Sequence, residues 1–435
     1  MNIHTKILPA LAVLPTLAAC RKDPGQPQQG EPVYSVSVKN EFNALQARLA
    51  VFLSNDDGNV IRYQELAGNA TTLVEVPGTR TDDRFDCTIV KIITRDAPGT
   101  GMSDTLVNLT TYTGLKSGET INLRDLFYKQ TTDLNLTFTN VTSVDSVVVP
   151  DGITFVRPAP SNNFNGQYRV YHTGKLWLRV KINGQSMWRF ILFGNIDGPT
   201  LDATLDAGLM LPIFATPKKI TLPFTAAWDF SVEGIVDTAG AKYLAMGDQL
   251  PVPGGAIPVY STLDIFEPIS NDVFDPAPKP YNGFRVRLSG ADPTPGSYAY
   301  SFDRLYPAIP ATLPVPAFDL QPTVLADNRL VATQCIGSFD VLAFTRSHPG
   351  TLGITWEVFM PPAIGIVSYR LPDVPDNLGA QFQPLKNYDF GGKVKVRAED
   401  YEYLNGYETA IHKRLLNNDP VWQAKAGYLG REEVQ

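Results

Sequence analysis

The chain of 435 residues is poor in cysteine and histidine, with three cysteines and four histidines. Structural zinc sites need Cys or His ligands paired at short spacing, and the sequence contains no such pair. No histidine lies in an H-E-x-x-H arrangement, which excludes the zinc hydrolases that carry this motif. We therefore predict neither a transition-metal enzyme nor a bound cofactor.

Catalytic motifs are also lacking. The sequence contains no G-x-S-x-G motif, which would mark a serine nucleophile, and Ser347 and His348 lie in a predicted loop. No Glu-x-Asp-x-Glu strand of the β-glucanase type occurs. The nearest acidic run, at residues 399–403, is predicted to be the exposed face of a terminal strand. We predict that the chain is not an enzyme. A glycoside hydrolase ranks third, after the two non-catalytic functions given at the end of this subsection.

Positive charge and long apolar runs are scarce as well. The 44 acidic residues outnumber the 37 basic ones, and the net charge is −7. This balance provides no electrostatic footprint for nucleic acid, so nucleic acid is not a predicted partner. The apolar run at residues 7–17 is too short for a membrane-spanning helix, which needs about 20 apolar residues.

The N-terminus has the features of a secretory signal. Lys6 precedes the apolar run, and the small residues Ala18 and Ala19 follow it, directly before Cys20. A short apolar region that ends in small residues is typical of a cleavable signal peptide. An ordinary signal with an incidental cysteine is the alternative.

The string Leu17-Ala18-Ala19-Cys20 resembles the lipobox of bacterial lipoproteins. The resemblance implies that residues 1–19 are removed and that Cys20 is acylated. Residues 20–32, rich in Pro, Gly and Gln, are predicted to be a flexible tether. The Lys22-Asp23 pair resembles the surface-export signal of Bacteroidota lipoproteins, which implies a surface-exposed, lipid-anchored protein of the outer membrane.

The rest of the chain predicts an all-β fold. Its 34 glycines and 35 prolines indicate many turns. Apolar and polar residues alternate in short runs, which is typical of half-buried strands. Runs at residues 46–53 and 60–65 flank an Asp57-Gly58 turn and predict a hairpin. A second hairpin is predicted around Asn183-Gly184, and a strand at residues 392–403. Short helices at residues 41–48 and 409–416 remain alternatives.

These strands predict two or three antiparallel β-sandwich domains, of Ig-like or jelly-roll-like type, in series after the tether. The spacing of strands and turns suits such modules, and segments rich in Pro and Asp mark the boundaries between them. The predicted domains are residues 33–150, residues 151–275 and a β-rich C-terminal domain at residues 276–435.

The two cysteines beyond the anchor, Cys87 and Cys335, lie far apart in the sequence. We predict two separate buried thiols that behave as small apolar side chains. A single disulfide in an oxidising compartment is the alternative.

Aromatic residues near the C-terminus are the candidate ligand-binding residues. Trp422 lies in a polar neighbourhood, and Tyr401, Tyr403 and Tyr407 are close together in the sequence. Aromatic faces stack on sugar rings, so these four residues predict a ligand-binding face. Packing of an edge strand against its neighbour is the alternative. The other four tryptophans lie within apolar runs, which predicts core positions.

Two weaker patterns concern calcium and glycosylation. Asp197, Asp202 and Asp206 are candidate calcium ligands because calcium prefers clustered carboxylate oxygens. Asp-Ser/Thr-aliphatic triplets resemble the general O-glycosylation site of Bacteroidota, which implies three acceptors: Thr105, Ser146 and Thr238.

Two functions from different classes follow. The first is a non-catalytic, lipid-anchored cell-surface protein that binds a glycan or peptide, with an outer-membrane protein as a possible partner. The alternative is a structural or adhesive subunit, of a fimbria or an envelope scaffold, that engages other chains through exposed edge strands.

The substitution Cys20→Ala tests the anchor. We expect the protein to leave the membrane fraction while the body of the chain stays folded, because the anchor lies outside the predicted cores. Fractionation with palmitate labelling measures this outcome, and unchanged labelling of the variant would contradict the lipobox assignment.

Overall fold

The computed structural model describes residues 32–42, 47–77, 84–96, 103–123, 131–148, 165–171, 173–182, 189–196, 198–206, 211–212, 215–237, 242–248, 259–268, 283–291, 298–322, 328–348, 352–390, 394–402, 404–412 and 428–434. Cys20 and the predicted tether lie outside these residues.

Strands dominate the described residues. In the first half they are β1 (Pro32–Asn40), β2 (Arg48–Ser54), β3 (Val60–Leu66), β4 (Ala70–Pro77), β5 (Arg84–Asp96), β6 (Ser103–Lys116), β7 (Glu119–Leu123), β8 (Thr131–Thr139), β9 (Val144–Val148), β10 (Asn165–Tyr171), β11 (Thr173–Ile182), β12 (Arg189–Ile196), β13 (Thr200–Asp206) and β14 (Leu211–Pro212). The second half contains β15 (Ala215–Asp237), β16 (Lys242–Asp248), β17 (Val259–Pro268), β18 (Gly283–Ala291), β19 (Ala299–Tyr306), β20 (Asp319–Pro322), β21 (Leu330–Ile336), β22 (Val341–His348), β23 (Leu352–Met360), β24 (Gly365–Arg370), α1 (Asp376–Gln381), α2 (Gln383–Lys386), β25 (Val394–Tyr401), α3 (Tyr407–Ala410) and β26 (Tyr428–Val434).

A sheet of 13 strands, here called the large sheet, runs through the structure. Its order is β16-β15-β18-β19-β26-β25-β22-β23-β6-β5-β2-β3, and β17 also pairs with β15. Strands β6 and β23 run parallel, with Leu352 opposite Thr105 and Phe359 opposite Tyr112. The other pairs of this sheet are antiparallel. The predicted all-β, sandwich-like class is therefore confirmed.

Strand pairing in the large sheet crosses both predicted domain boundaries. Strand β6 belongs to the predicted domain 33–150, β15 to 151–275, and β18 to 276–435, yet all three lie in one sheet. Prolines and acidic residues mark where a chain turns, but they do not determine which strands pair afterwards. The boundaries after residues 150 and 275 therefore do not divide this sheet.

A second layer, here called the front sheet, covers one face of the large sheet. It has the order β4-β1-β7, with β1 antiparallel to β4 and parallel to β7. Tyr34, Val36 and Val38 of β1 share one hydrophobic cluster with Val51 and Leu53 of β2. The two sheets therefore pack face to face as in a β-sandwich.

A third layer, here called the back sheet, lies on the opposite face. It has the order β20-β21-β24. Val331 of β21 and Val367 of β24 share a cluster with Phe52 of β2, together with Leu378 of α1 and Leu385 of α2. Strand β2 is buried on both faces because alternate side chains point to opposite sides of a strand.

Two smaller sheets come from the middle of the chain. One has the order β10-β8-β13, and the other has the order β14-β12-β11-β9. The antiparallel pairing of β11 with β12 confirms the hairpin predicted around residues 183–184, although the turn itself lies outside the described residues.

The hairpin between β2 and β3 is also confirmed. The Gly58 amide donates to the Asn55 carbonyl at 2.8 Å, and the Asn59 amide donates to Asn55 Oδ1 at 2.8 Å. Gly58 has a φ of 81°, a conformation that a residue without Cβ adopts easily. These bonds explain the run of Asn and Asp residues as turn chemistry.

Both predicted thiols are buried. Cys87 lies in the hydrophobic cluster under the front sheet, here called the front core, and Cys335 lies in the cluster under the back sheet, here called the back core. Each is a free cysteine. Trp228 and Trp356 are buried core residues, as predicted. Within the described ranges, no helix has the length and apolarity to cross a membrane.

Gly290 is essential to the packing of Trp228. The two residues are directly opposite in the β15–β18 ladder, and a Cβ on Gly290 would lie 2.6 Å from Trp228 Cε3. The Trp228 ring has no room to move, because Phe224 and Tyr300 pack against it with centroid distances of 4.7 and 5.5 Å.

We expect Gly290→Ala to lower the free energy of unfolding by about 1–3 kcal/mol through overpacking. Chemical denaturation measures this change. Gly198→Ala is the matched control, because its nearest contact, the Thr200 carbonyl oxygen, is at an ordinary 3.6 Å. Equal effects of the two substitutions would contradict the packing argument.

Candidate interaction surface

Strand β24 forms one edge of the back sheet. It pairs with β21 through six antiparallel residue pairs, from Leu330–Arg370 to Cys335–Gly365. Within the described residues, no other strand pairs with β24. Alternate backbone N–H and C=O groups of an edge strand point away from its neighbour, and they form a template for one more strand.

The outward face of this edge is apolar at one end. Ile366 of β24 is 75% exposed, and Ile364, just before the strand, is 85% exposed. Ile336 is 42% exposed and ends β21, one residue beyond the Cys335–Gly365 pair. The three isoleucines therefore lie at the same end of the back sheet, and we call them the isoleucine patch.

Two other edges carry charge or proline, or are short. Strand β3 ends the large sheet and exposes Arg62 and Glu65, and Glu65 forms an ion pair with Arg48 at 3.4 Å. Strand β20, the other edge of the back sheet, has only four residues and ends in Pro322. Charge, proline and short length all discourage unwanted strand pairing. The exposed isoleucines give β24 no such protection at its first residues.

Prolines limit the length of the free edge. Pro361 and Pro362 precede β24, and Pro372 follows it closely. Proline has no N–H to donate to a ladder, so a strand added at this edge gains backbone bonds over only a short segment. The edge therefore suits a short extended strand with apolar side chains at alternate positions.

Two inward side chains hold β24 to the body. Val367 is buried in the back core, and Tyr369 packs against the same core. The Tyr369 hydroxyl donates to Asp86 Oδ2 at 2.7 Å, and the Gly114 amide donates to Asp86 Oδ1 at 2.9 Å. Burial raises the pKa of Asp86 to about 6, although both hydrogen bonds oppose this shift. Burial also raises the pKa of Tyr369.

The predicted ligand-binding face is wrong for Tyr401 and Tyr407. Both side chains are buried in the front core, not exposed. The Tyr407 hydroxyl accepts from the Thr113 amide at 3.1 Å and donates to the Phe359 carbonyl at 2.8 Å. Tyr403 and Trp422 lie outside the described residues. The segment after β25 folds back onto the sheet, which a short aromatic-rich sequence does not indicate.

The exposed face that the sequence predicted at residues 399–403 is wrong for Glu399, whereas Glu402 is exposed as predicted. Glu399 is buried and accepts a hydrogen bond from the Tyr401 hydroxyl. Arg397 Nε lies 2.6 Å from Glu399 Oε1, and Arg397 Nη2 lies 2.9 Å from Glu357 Oε1. One arginine therefore bridges the two carboxylates, which explains how Glu399 is buried.

The structure does not bring the described calcium candidates together. Asp202 and Asp206 are four residues apart on β13, which separates them by roughly 13 Å along the strand. Asp202 Oδ1 instead accepts a hydrogen bond from Asn135 Nδ2 at 2.6 Å. Asp197 lies outside the described residues. The sequence spacing had suggested a loop, whereas the extended strand separates the carboxylates.

The modification candidates are distributed differently. Thr105 is half-buried on β6, in the ladder between β5 and β23. Ser146 is on β9, but its side chain is outside the described part of the chain, and so is Thr238. Acylation of Cys20 and glycosylation of these residues remain predictions.

Sequence reasoning missed the isoleucine patch. Residues 366–370 lie in the observed strand β24. The run Gly365-Ile366-Val367 has the composition of an ordinary buried strand. The closely spaced prolines on either side were the available signal, because proline is confined to edge strands and strand ends.

No protein-family model matches the chain, and no curated protein matches it. A solved tip fimbrial protein of Porphyromonas gingivalis, with a C-terminal truncation, is similar at 9% identity and a TM-score of 0.16, over 38% of this chain and 83% of that chain. A protein of Parabacteroides distasonis, provisionally assigned to cell adhesion, is similar at 13% identity and a TM-score of 0.15, over 43% and 93% of the two chains. TM-scores this low do not indicate a shared overall fold.

Tyr407→Phe tests the structural role of this buried side chain. We expect the variant to lose about 1–3 kcal/mol of unfolding free energy, because the buried Thr113 amide loses its acceptor. Thermal denaturation measures the loss. Tyr260→Phe is the matched control, because the Tyr260 hydroxyl makes no hydrogen bond to a described residue. An unchanged stability of Tyr407→Phe would contradict this assignment.

Proposed function

We propose that this chain is a non-enzymatic structural or adhesive protein of a bacterial cell envelope. It holds a partner polypeptide that adds an extended strand to the free edge of β24. The anchor is the lipid on Cys20, as the resemblance of residues 17–20 to a lipobox implies.

The isoleucine patch is the observation that carries this proposal. Ile364 and Ile366 are more exposed than any other large apolar side chain in the described residues. They stand beside backbone groups that a partner strand would satisfy. Burying one isoleucine side chain contributes about 1.5–3 kcal/mol, and the added ladder fixes the direction and register of the partner.

Glycan binding, part of the first function predicted from the sequence, has less support. Two of its four proposed aromatic residues, Tyr401 and Tyr407, are buried and engaged in hydrogen bonds inside the front core. A sugar ring stacks on an exposed aromatic face, so these two side chains do not offer one. The edge-strand function requires no residue that the fold buries.

Ile366→Lys tests the proposed surface in the full chain displayed on cells. We expect the affinity for the partner strand to fall about tenfold or more, which corresponds to about 1.4 kcal/mol of binding free energy. Cell–cell adhesion, measured as the shear needed to separate adhering cells, should fall with it. The lysine both removes apolar area and places a charge on the edge.

Ile61→Lys provides the matched control, because it makes the same change at an exposed isoleucine on the edge strand β3. Surface display and thermal stability of both variants are measured alongside adhesion. Adhesion that is unchanged by Ile366→Lys, or reduced equally by both variants, would sink the proposal.

A further inference from the structure

Asp86 is a buried carboxyl group at an irregularity of the large sheet. The β5–β6 register shifts between Phe85 and Cys87, and both of these side chains belong to the front core. Asp86 lies between them in sequence and points the other way, toward the back sheet, where it is 7% exposed. It is therefore placed under β24, at the junction between two layers.

Only neutral groups bond directly to this carboxyl within the described residues. They are the Tyr369 hydroxyl of β24 and the Gly114 amide of β6. Ser54 lies directly opposite Asp86 in the β2–β5 ladder, and its buried hydroxyl has no hydrogen-bond partner there. Among the described residues, no positively charged side chain therefore bonds to Asp86 to offset its charge.

The charged and titratable neighbours add to this imbalance. Asp56, in the turn after β2, opposes ionisation of Asp86 by charge repulsion. Three tyrosines of the described residues also interact electrostatically with it, and their side chains are neutral: Tyr34 in β1, Tyr369 in β24 and Tyr407 in α3. Cys87 adjoins it on β5 and is also neutral. Arg84, the nearest basic residue in the same strand, is directed to Glu408 at 2.9 Å.

We propose that Asp86 is a proton-controlled latch for β24. The neutral carboxylic acid keeps the strand closed on the large sheet, and loss of the proton to solvent favours its opening. Opening separates Tyr369 from Asp86 and lets water reach the carboxylate. The importance of this latch for adhesion rests on the proposed function, because β24 is the strand that would receive the partner.

The sign of the effect follows from proton linkage. Burial raises the pKa of Asp86 from 3.8 to about 6, so the closed state binds more protons than the open state between these values. The closed state is therefore favoured at low pH, and its advantage is lost as the pH rises toward 6. The difference of about two pKa units corresponds to a roughly 100-fold change in the opening equilibrium.

Hydrogen exchange of the full chain, without any partner, tests the latch. Exchange rates of amides in β21 and β24 are divided by the intrinsic rate at each pH, from pH 4 to pH 8. We expect the opening constant to rise up to about tenfold per pH unit below pH 6 and to level off above it. Asp86→Asn keeps the size of the side chain, and its Oδ1 can still accept from the Gly114 amide while its Nδ2 donates to the Tyr369 hydroxyl. We expect this variant to show no such dependence.

Two further variants keep the test decisive if Asp86→Asn fails to fold. Tyr369→Phe removes a hydrogen bond that favours the carboxylate, so the midpoint should move to higher pH. Asp56→Asn removes a repelling charge, so the midpoint should move to lower pH. Midpoints that shift in opposite directions in the two variants support the latch. A merely structural role of Tyr369 or Asp56 does not predict these opposite shifts.

A pH-independent opening constant in the natural chain, or an equal dependence in Asp86→Asn, would overturn the latch. Neither result bears on strand addition, which is measured by adhesion of Ile366→Lys. Conversely, suppose that Ile366→Lys leaves adhesion unchanged while the opening constant of the natural chain still depends on pH. This result would overturn the proposed function and leave the latch in place.

Discussion

The parallel pairing of β6 with β23 is the constraint on which the rest of the structure depends. It joins β2, β3, β5 and β6 to the strands that follow residue 214 in one continuous sheet. Without it, β6 and β23 would each present a long open edge in the middle of the core. The front and back layers also depend on it, because each one covers strands from both sides of this junction.

Local structure was largely predictable from the sequence, and long-range pairing was not. The turn at Asn55–Gly58 and the β11–β12 hairpin follow from short-range chemistry, in which residues that tolerate a positive φ connect two alternating runs. The terminal strand at 392–403 appears as β25. The sequence predicted domain boundaries near residues 150 and 275, but the large sheet contains strands from before and after both positions. Alternation of apolar and polar residues identifies a strand without identifying the strand that it pairs with. Helices α1 and α2 were not predicted, since six and four residues give too short a pattern.

The same limit applies to the candidate site. Tyr401 and Tyr407 were predicted to be exposed because they lie close together in the sequence with Tyr403, but their position over the front core is set by the chain that returns after β25. Ile364 and Ile366 have the composition of a core strand and are instead exposed. Burial is decided by which layer covers a strand, and that information is held in contacts between distant residues. The exposure of the isoleucine patch, on which the proposed function depends, therefore cannot be identified from a single sequence.

The distance in sequence between β6 and β23 has a consequence for biogenesis. The ladder between them closes a loop of more than 200 residues, and such high contact order slows folding. During synthesis or export from the N-terminus, β2, β3, β5 and β6 emerge long before their remaining neighbour exists. The nascent chain must keep the β6 edge apart from other unfolded chains during that interval. A holdase chaperone that recognises extended apolar segments would meet this requirement. It would no longer be needed once residues 352–360 are available to pair with β6.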